Sequence, residues 1–152
     1  MEPLAHTLRT DFPKVIFVAG DKFYWSPKEN TVFYDARKKN KPAQWALLHE
    51  LCHAVLGHTS YKTDFELLQL EVAAWHKAKE FAPTYDMNIS EDHIQDCLDT
   101  YRDWLHARSK CPVCGEHGLQ DTSSTYECIN CRATWHVSGQ RFCRPYRKTK
   151  TT

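Results

Sequence analysis

Apolar positions run in short β-like bursts up to residue 35, recur at helical spacing from 42 to 108, and follow neither pattern beyond 109. Residues 14–19 form a short apolar strand closed by Gly20-Asp21. Phe23-Tyr24-Trp25 and Thr31-Val32-Phe33-Tyr34 flank the turn-rich Ser26-Pro27-Lys28-Glu29-Asn30, a pattern that predicts an aromatic hairpin. The segment before Pro13 fits either a short helix or an irregular lead-in.

Residues 42–58 read as a helix. Asn40 and Pro42 suit its start. Trp45, Leu48, Cys52, Val55 and Leu56 predict its buried stripe, and Gly57 suits its C-terminal end. A second helix begins near Asp64, where Thr63 and Glu66 have capping-box spacing. Leu67, Leu70, Ala74, Ala78 and Phe81 continue one apolar face until Pro83. A third helix runs from an N-cap at Ser90 to about Arg108. It has Ile94, Leu98, Tyr101 and Leu105 on its buried side and Asp92, Asp96, Asp99 and Asp103 on the other. The expected fold class is therefore α+β: a small antiparallel or mixed sheet, a helical core, and a Cys-rich appendage. Ser109-Lys110 divides a domain at 1–108 from a segment at 109–152.

Composition narrows the class. A chain of 152 residues, 41% hydrophobic and 26% charged, can bury a core and is not disordered throughout. The formal charge is +1, but six Lys/Arg and no acidic residue follow from Arg132 onward, leaving 14 basic against 19 acidic residues before it. A basic tail on an acidic body suits an anionic partner or a solvated terminus. The apolar run Val15 to Ala19 is too short to span a bilayer, and Met1-Glu2-Pro3-Leu4 lacks the features of a signal peptide. Four of the seven cysteines form two Cys-x-x-Cys pairs, which favours metal thiolates in a reducing compartment over disulfides. A cytoplasmic location without membrane contact is expected.

His49-Glu50-Leu51-Cys52-His53 is an H-E-x-x-H motif within the first predicted helix. Residues four apart share a helix face, so both imidazoles can reach one Zn²⁺. Glu50 can lie beside the open coordination position and take a proton from the attacking water. A third ligand is required, and His58, Glu66 and Glu71 are the candidates. His58 falls near the helix end, toward a different side, and reads as a residue around the ligands or on the surface. Glu66 is explained by the capping box. Glu71 is a carboxylate on an otherwise apolar helix face, which is costly unless it is paired or metal-bound. A short link lets its helix fold back over His53, so Glu71 is the expected third ligand. Tyr61, His76 and Tyr85 are candidates for stabilising the transition state.

The stretch Leu47-Leu48-His49-Glu50-Leu51-Cys52-His53-Ala54-Val55-Leu56-Gly57-His58, with Glu71-Val72-Ala73-Ala74 and Phe81-Ala82, resembles the ImmA/IrrE family of metallopeptidases over roughly residues 10 to 108. The resemblance implies a zincin-like core with His49, His53 and Glu71 on zinc and Glu50 as base. It implies as substrates folded regulatory proteins, typically helix-turn-helix repressors. Trp75 departs from it, standing where Asp or Asn is frequent, so that a polar contact to a zinc-bound His is either missing or supplied by His76. Cys52 replaces a frequent Gly.

Cys111, Cys114, Cys128 and Cys131 have the spacing of two zinc knuckles and predict a zinc ribbon closed around a structural ion. Trp135, His136, Arg141, Arg144, Tyr146, Arg147 and Lys148 interleave basic and aromatic residues, which suits nucleic-acid contact or docking of protein. Cys52, Cys97 and Cys143 read as ordinary thiols. The expected cofactors are two Zn²⁺, one catalytic and one structural. The expected activity is metallopeptidase cleavage of a protein or peptide. The rival is a nucleic-acid- or protein-binding regulator whose H-E-x-x-H site is not proteolytic.

Overall fold

A computed structural model describes residues 1–138 and the strand Lys148–Thr149. Over the described residues the protein is mixed α+β, with four α-helices and two small sheets. Its residues group into two compact units. One comprises Met1–Ser60 with Leu70–Gln95, the other Tyr61–Gln69 with the chain from Asp96 onward.

In the first unit the segment before Pro13 is a helix, α1 (Glu2–Asp11). Met1, Ala5 and Leu8 recur at helical spacing and are buried. Arg9 donates to the Tyr34 hydroxyl at 2.8 Å, and that hydroxyl donates to Glu2 at 2.7 Å, tying α1 to the sheet. Strands β1 (Ile16–Gly20), β2 (Tyr24–Ser26) and β3 (Thr31–Asp35) form a mixed sheet in the order β1-β3-β2. The aromatic hairpin forms as expected, with Trp25 opposite Val32. β1 pairs parallel to β3, which leaves both β1 and β2 as edges.

Helix α2 (Lys41–Val55) starts where Asn40 Oδ1 accepts the Ala43 N–H at 3.1 Å. Its buried side is Leu47, Leu48, Leu51 and Cys52, together with His49 and His53. Val55 and Leu56, expected in that stripe, are 39% and 40% exposed. The helix stops at Val55, and Gly57 at φ +68° turns the chain away before residue 58. The end is a Schellman motif: His58 N–H bonds to His53 O at 3.0 Å and Gly57 N–H to Ala54 O at 3.1 Å.

Helix α3 (Asp64–Phe81) opens with Thr63 Oγ1 accepting the Glu66 N–H at 3.1 Å. The Glu66 carboxylate reaches the Lys62 N–H instead of completing a reciprocal capping box. Helix α4 (Glu91–Ser109) keeps its four aspartates exposed and buries Ile94 and Leu98, and also Trp104 and Arg108. Among the described residues no helix is long and apolar enough to cross a membrane.

In the second unit, β4 (Gly118–Thr122), β5 (Thr125–Cys128), β6 (Thr134–His136) and β7 (Lys148–Thr149) form a second sheet in sequence order. Cys111, Tyr126, Cys128, Trp135 and Val137 make its small core. Gly118 is required there: a Cβ would sit 2.4 Å from the Trp135 ring and 2.6 Å from Glu127 O. The buried Arg108 pairs with Asp64 at 2.6 Å, and the Tyr126 hydroxyl also donates to Asp64 at 2.6 Å. The Arg108 guanidinium also donates to the Ser138 carbonyl, so both members of the buried charge pair have further hydrogen-bond partners, and the Arg108 carbonyl accepts the Trp135 indole N–H at 2.9 Å.

Candidate metal centres

Helix α2 carries His49 and His53 on one face, one turn apart, and α3 supplies Glu71. All three are buried. His49 Nε2 lies 3.1 Å from His53 Nε2 and 3.1 Å from Glu71 Oε2; His53 Nε2 lies 3.5 Å from Glu71 Oε1. Donors about 2.0–2.1 Å from a tetrahedral ion are roughly 3.3 Å apart, so the spacing fits one metal held by all three. The two Nε2 atoms facing each other also suit a cation that accepts lone pairs from both. His49, His53 and Glu71 can thus hold a metal ion.

The electrostatics agree. Burial would raise the pKa of Glu71, but the two imidazoles override it and hold the carboxyl well below its ordinary value. Burial opposes protonation of His53, yet Glu71 pulls its pKa above 6.5. Glu50 is shifted the other way. Desolvation raises its pKa above 4.5 against the pull of the neighbouring histidines, which suits a proton acceptor. Its Oε2 accepts the backbone N–H of Trp25 on strand β2 at 2.8 Å.

Four contacts around this cluster were not legible in the sequence. His58 Nδ1 lies 2.8 Å from His53 Nδ1, placed there by the Schellman turn. Burial and the neighbouring His53 lower its pKa, which favours a neutral ring able to accept a hydrogen bond. The Trp25 indole donates to the His58 carbonyl at 2.8 Å. Trp75 stacks on His49 with ring centroids 4.1 Å apart, and His93 meets the edge of Trp75. The His49 Nδ1 atom is buried without a hydrogen-bond partner, so for this ring the polar contact is missing, not supplied by His76, and the ring is held by an aromatic stack. Gly followed by His at a helix end was the available signal for His58; nothing local pointed to Trp25. Glu66 sits in the first turn of α3, its N–H on Thr63 and its carboxylate on the Lys62 N–H, and is not among the clustered residues. His76 and Tyr61 are exposed, and the Tyr85 hydroxyl donates to Asp11 at 3.0 Å.

The second cluster joins Cys111, Cys114, Cys128 and Cys131, and it too can hold a metal ion. Each pair sits on a tight turn closed by the same bond: Gly115 N–H to Cys111 O at 3.1 Å, and Arg132 N–H to Cys128 O at 3.0 Å. Gly115 and Arg132 occupy equivalent positions with φ of +80° and +64°. Sulfur separations of 3.7 Å (Cys111–Cys131) and 3.5 Å (Cys114–Cys128) exclude disulfides and are close to the roughly 3.8 Å expected around a tetrahedral ion at about 2.3 Å. The Glu116 N–H and the Asn130 side chain bring Cys114 down to about 6. The Ala133 N–H favours the Cys131 thiolate, but burial and the neighbouring thiols push it up to about 12. Four sulfurs this crowded cannot all ionise without a cation among them.

Cys52 and Cys97 lie outside both clusters. Trp135 is core and His136 partly buried. Arg141, Cys143, Arg144, Tyr146 and Arg147 lie outside the described residues, as does the Lys148 side chain. In comparisons with protein-family models, curated proteins and solved structures, no match to this chain was found.

Proposed function

We propose that this chain is a zinc-dependent metallopeptidase, with His49, His53 and Glu71 as ligands of the catalytic zinc, Glu50 as general base, and a structural zinc in a ribbon built on the four cysteines. The observation that carries the reading is the convergence of two imidazoles and a carboxylate on one point with a second, raised-pKa carboxylate beside them. Three protein ligands leave a tetrahedral ion one open position, the pattern of catalytic zinc, whereas four thiolates leave none. Zinc held there lowers the pKa of water and polarises a carbonyl.

The chain's own groups do the rest. Glu50, oriented by the Trp25 N–H, takes the proton of the attacking water and returns it to the leaving amine. β2 is an edge strand, so an extended peptide can pair beside it and bring its backbone to the cluster. The resemblance to ImmA/IrrE peptidases supports the same roles and suggests a regulatory protein, such as a helix-turn-helix repressor, as substrate. The ribbon, with Val113, Leu119 and Ile129 exposed, serves to recruit it.

Cells making the wild-type chain are expected to contain a protein fragment that is missing when Glu50→Gln replaces it, read by proteomic comparison of termini. No such difference, with nucleic-acid binding unchanged by Glu50→Gln, would favour a regulator instead.

A further inference from the structure

The two histidines of the first cluster are anchored differently. To offer Nε2 to a metal, a neutral histidine must carry its proton on Nδ1, and a partner for that N–H fixes the tautomer and the ring. His49 has none: its Nδ1 is buried and unpartnered, and the ring is held by its stack on Trp75. His53 has one, at 2.8 Å, and it is another histidine.

We propose that His58 is a positioning residue that fixes the proton of His53 on Nδ1 and thereby sets how tightly the site holds its metal; this rests on the metal-centre reading above. Two Nδ1 atoms at hydrogen-bond distance need one donor and one acceptor. With His53 donating, His58 accepts through a bare Nδ1 and keeps its own proton on Nε2. The arrangement is not a fourth ligand, because His58 meets the side of His53 away from the other donors.

Residue 58 is held from both ends. Its N–H bonds to the His53 carbonyl, and its carbonyl accepts the Trp25 indole. The same Trp25 holds Glu50 through its backbone N–H. One residue of β2 thus aligns the base and, through His58, a ligand. A neutral imidazole is also a weaker acceptor than a carboxylate. Paired with it, His53 would be a weaker donor to a bound ion than a histidine paired with a carboxylate.

The test is Co²⁺ titration of the full chain against a competing chelator, with the thiolate site distinguished by its sulfur charge-transfer absorption. His58→Phe is expected to weaken the His/Glu site about 10–100-fold and leave the thiolate site unchanged. His58→Gln, whose amide oxygen can accept from His53, is expected to recover most of that loss. Equal affinity in His58→Phe and wild type would overturn the proposal, as would a Gln variant no better than Phe. Should the variants not fold, long-range ¹H–¹⁵N spectra of the zinc-loaded wild type decide. They should find His53 protonated at Nδ1 and His58 at Nε2, and the reverse tautomers would overturn it. Failure of the underlying reading looks different: wild type would take up cobalt only at the thiolates, or Glu71→Ala would bind as well as wild type. Either result removes this proposal with it.

Discussion

His53 sits between a carboxylate that attracts its proton and a histidine that accepts one. In the metal-free chain Glu71 raises the folded-state pKa of His53 above 6.5. A group raised in this way contributes its stabilisation in full below the unfolded value and loses it as pH climbs through the folded one. Metal binding has the opposite sign, because protons compete for the same donors. With the His/Glu site stripped and the thiolate site still loaded, the thermal midpoint should fall as pH rises from 6.5. With metal restored it should hold or rise over that interval. A stripped chain that gained stability would contradict the His53–Glu71 pair. The candidate ligands themselves were legible because helical spacing fixes a shared face and because a carboxylate on an apolar face needs a reason. Trp25 and His58 were not, since their contacts depend on strand pairing and on one left-handed residue.

The end of α2 shows why the apolar pattern misled. Val55 and Leu56 continue the helical spacing, but Val55 is the last residue of α2 and Leu56 its cap, and both are exposed where the Schellman turn ends the helix. Gly57 makes that turn. Its φ of +68° is strained for any residue with a Cβ, although no atom lies within 4 Å to obstruct one. Gly57→Ala should therefore cost about 1–2 kcal/mol in urea unfolding, from backbone strain and not from collision. The short apolar strand and the hairpin were legible from their turn residues. The parallel pairing of β1 with β3 was not, because it joins segments that no local signal connects.

At the scale of the molecule the two candidate metal sites have unlike chemistry, and the chain should answer a chelator in two steps. About two zinc ions per chain are expected by metal analysis, the three-ligand site yielding its ion first and the thiolate site last. Stripping the latter should unfold the small sheet, whose core of five residues cannot hold it alone. The Asp64–Arg108 pair should matter as much to the same unit. Asp64→Ala leaves a buried guanidinium uncompensated and should cost about 3–5 kcal/mol by denaturant titration. The cysteine spacing announced the thiolate cage, whereas Asp64 read only as the start of a helix and Arg108 as the end of one. The tryptophans follow the same division. Trp75 lies against His49, and an indole's emission responds to a change of charge on an imidazole stacked upon it. Trp135 lies in the cysteine unit's core against Tyr126. Of the five tryptophans, Trp75 and Trp135 thus each lie by one candidate metal site, and a chain that keeps only one of them would let the filling of that site be followed by light alone.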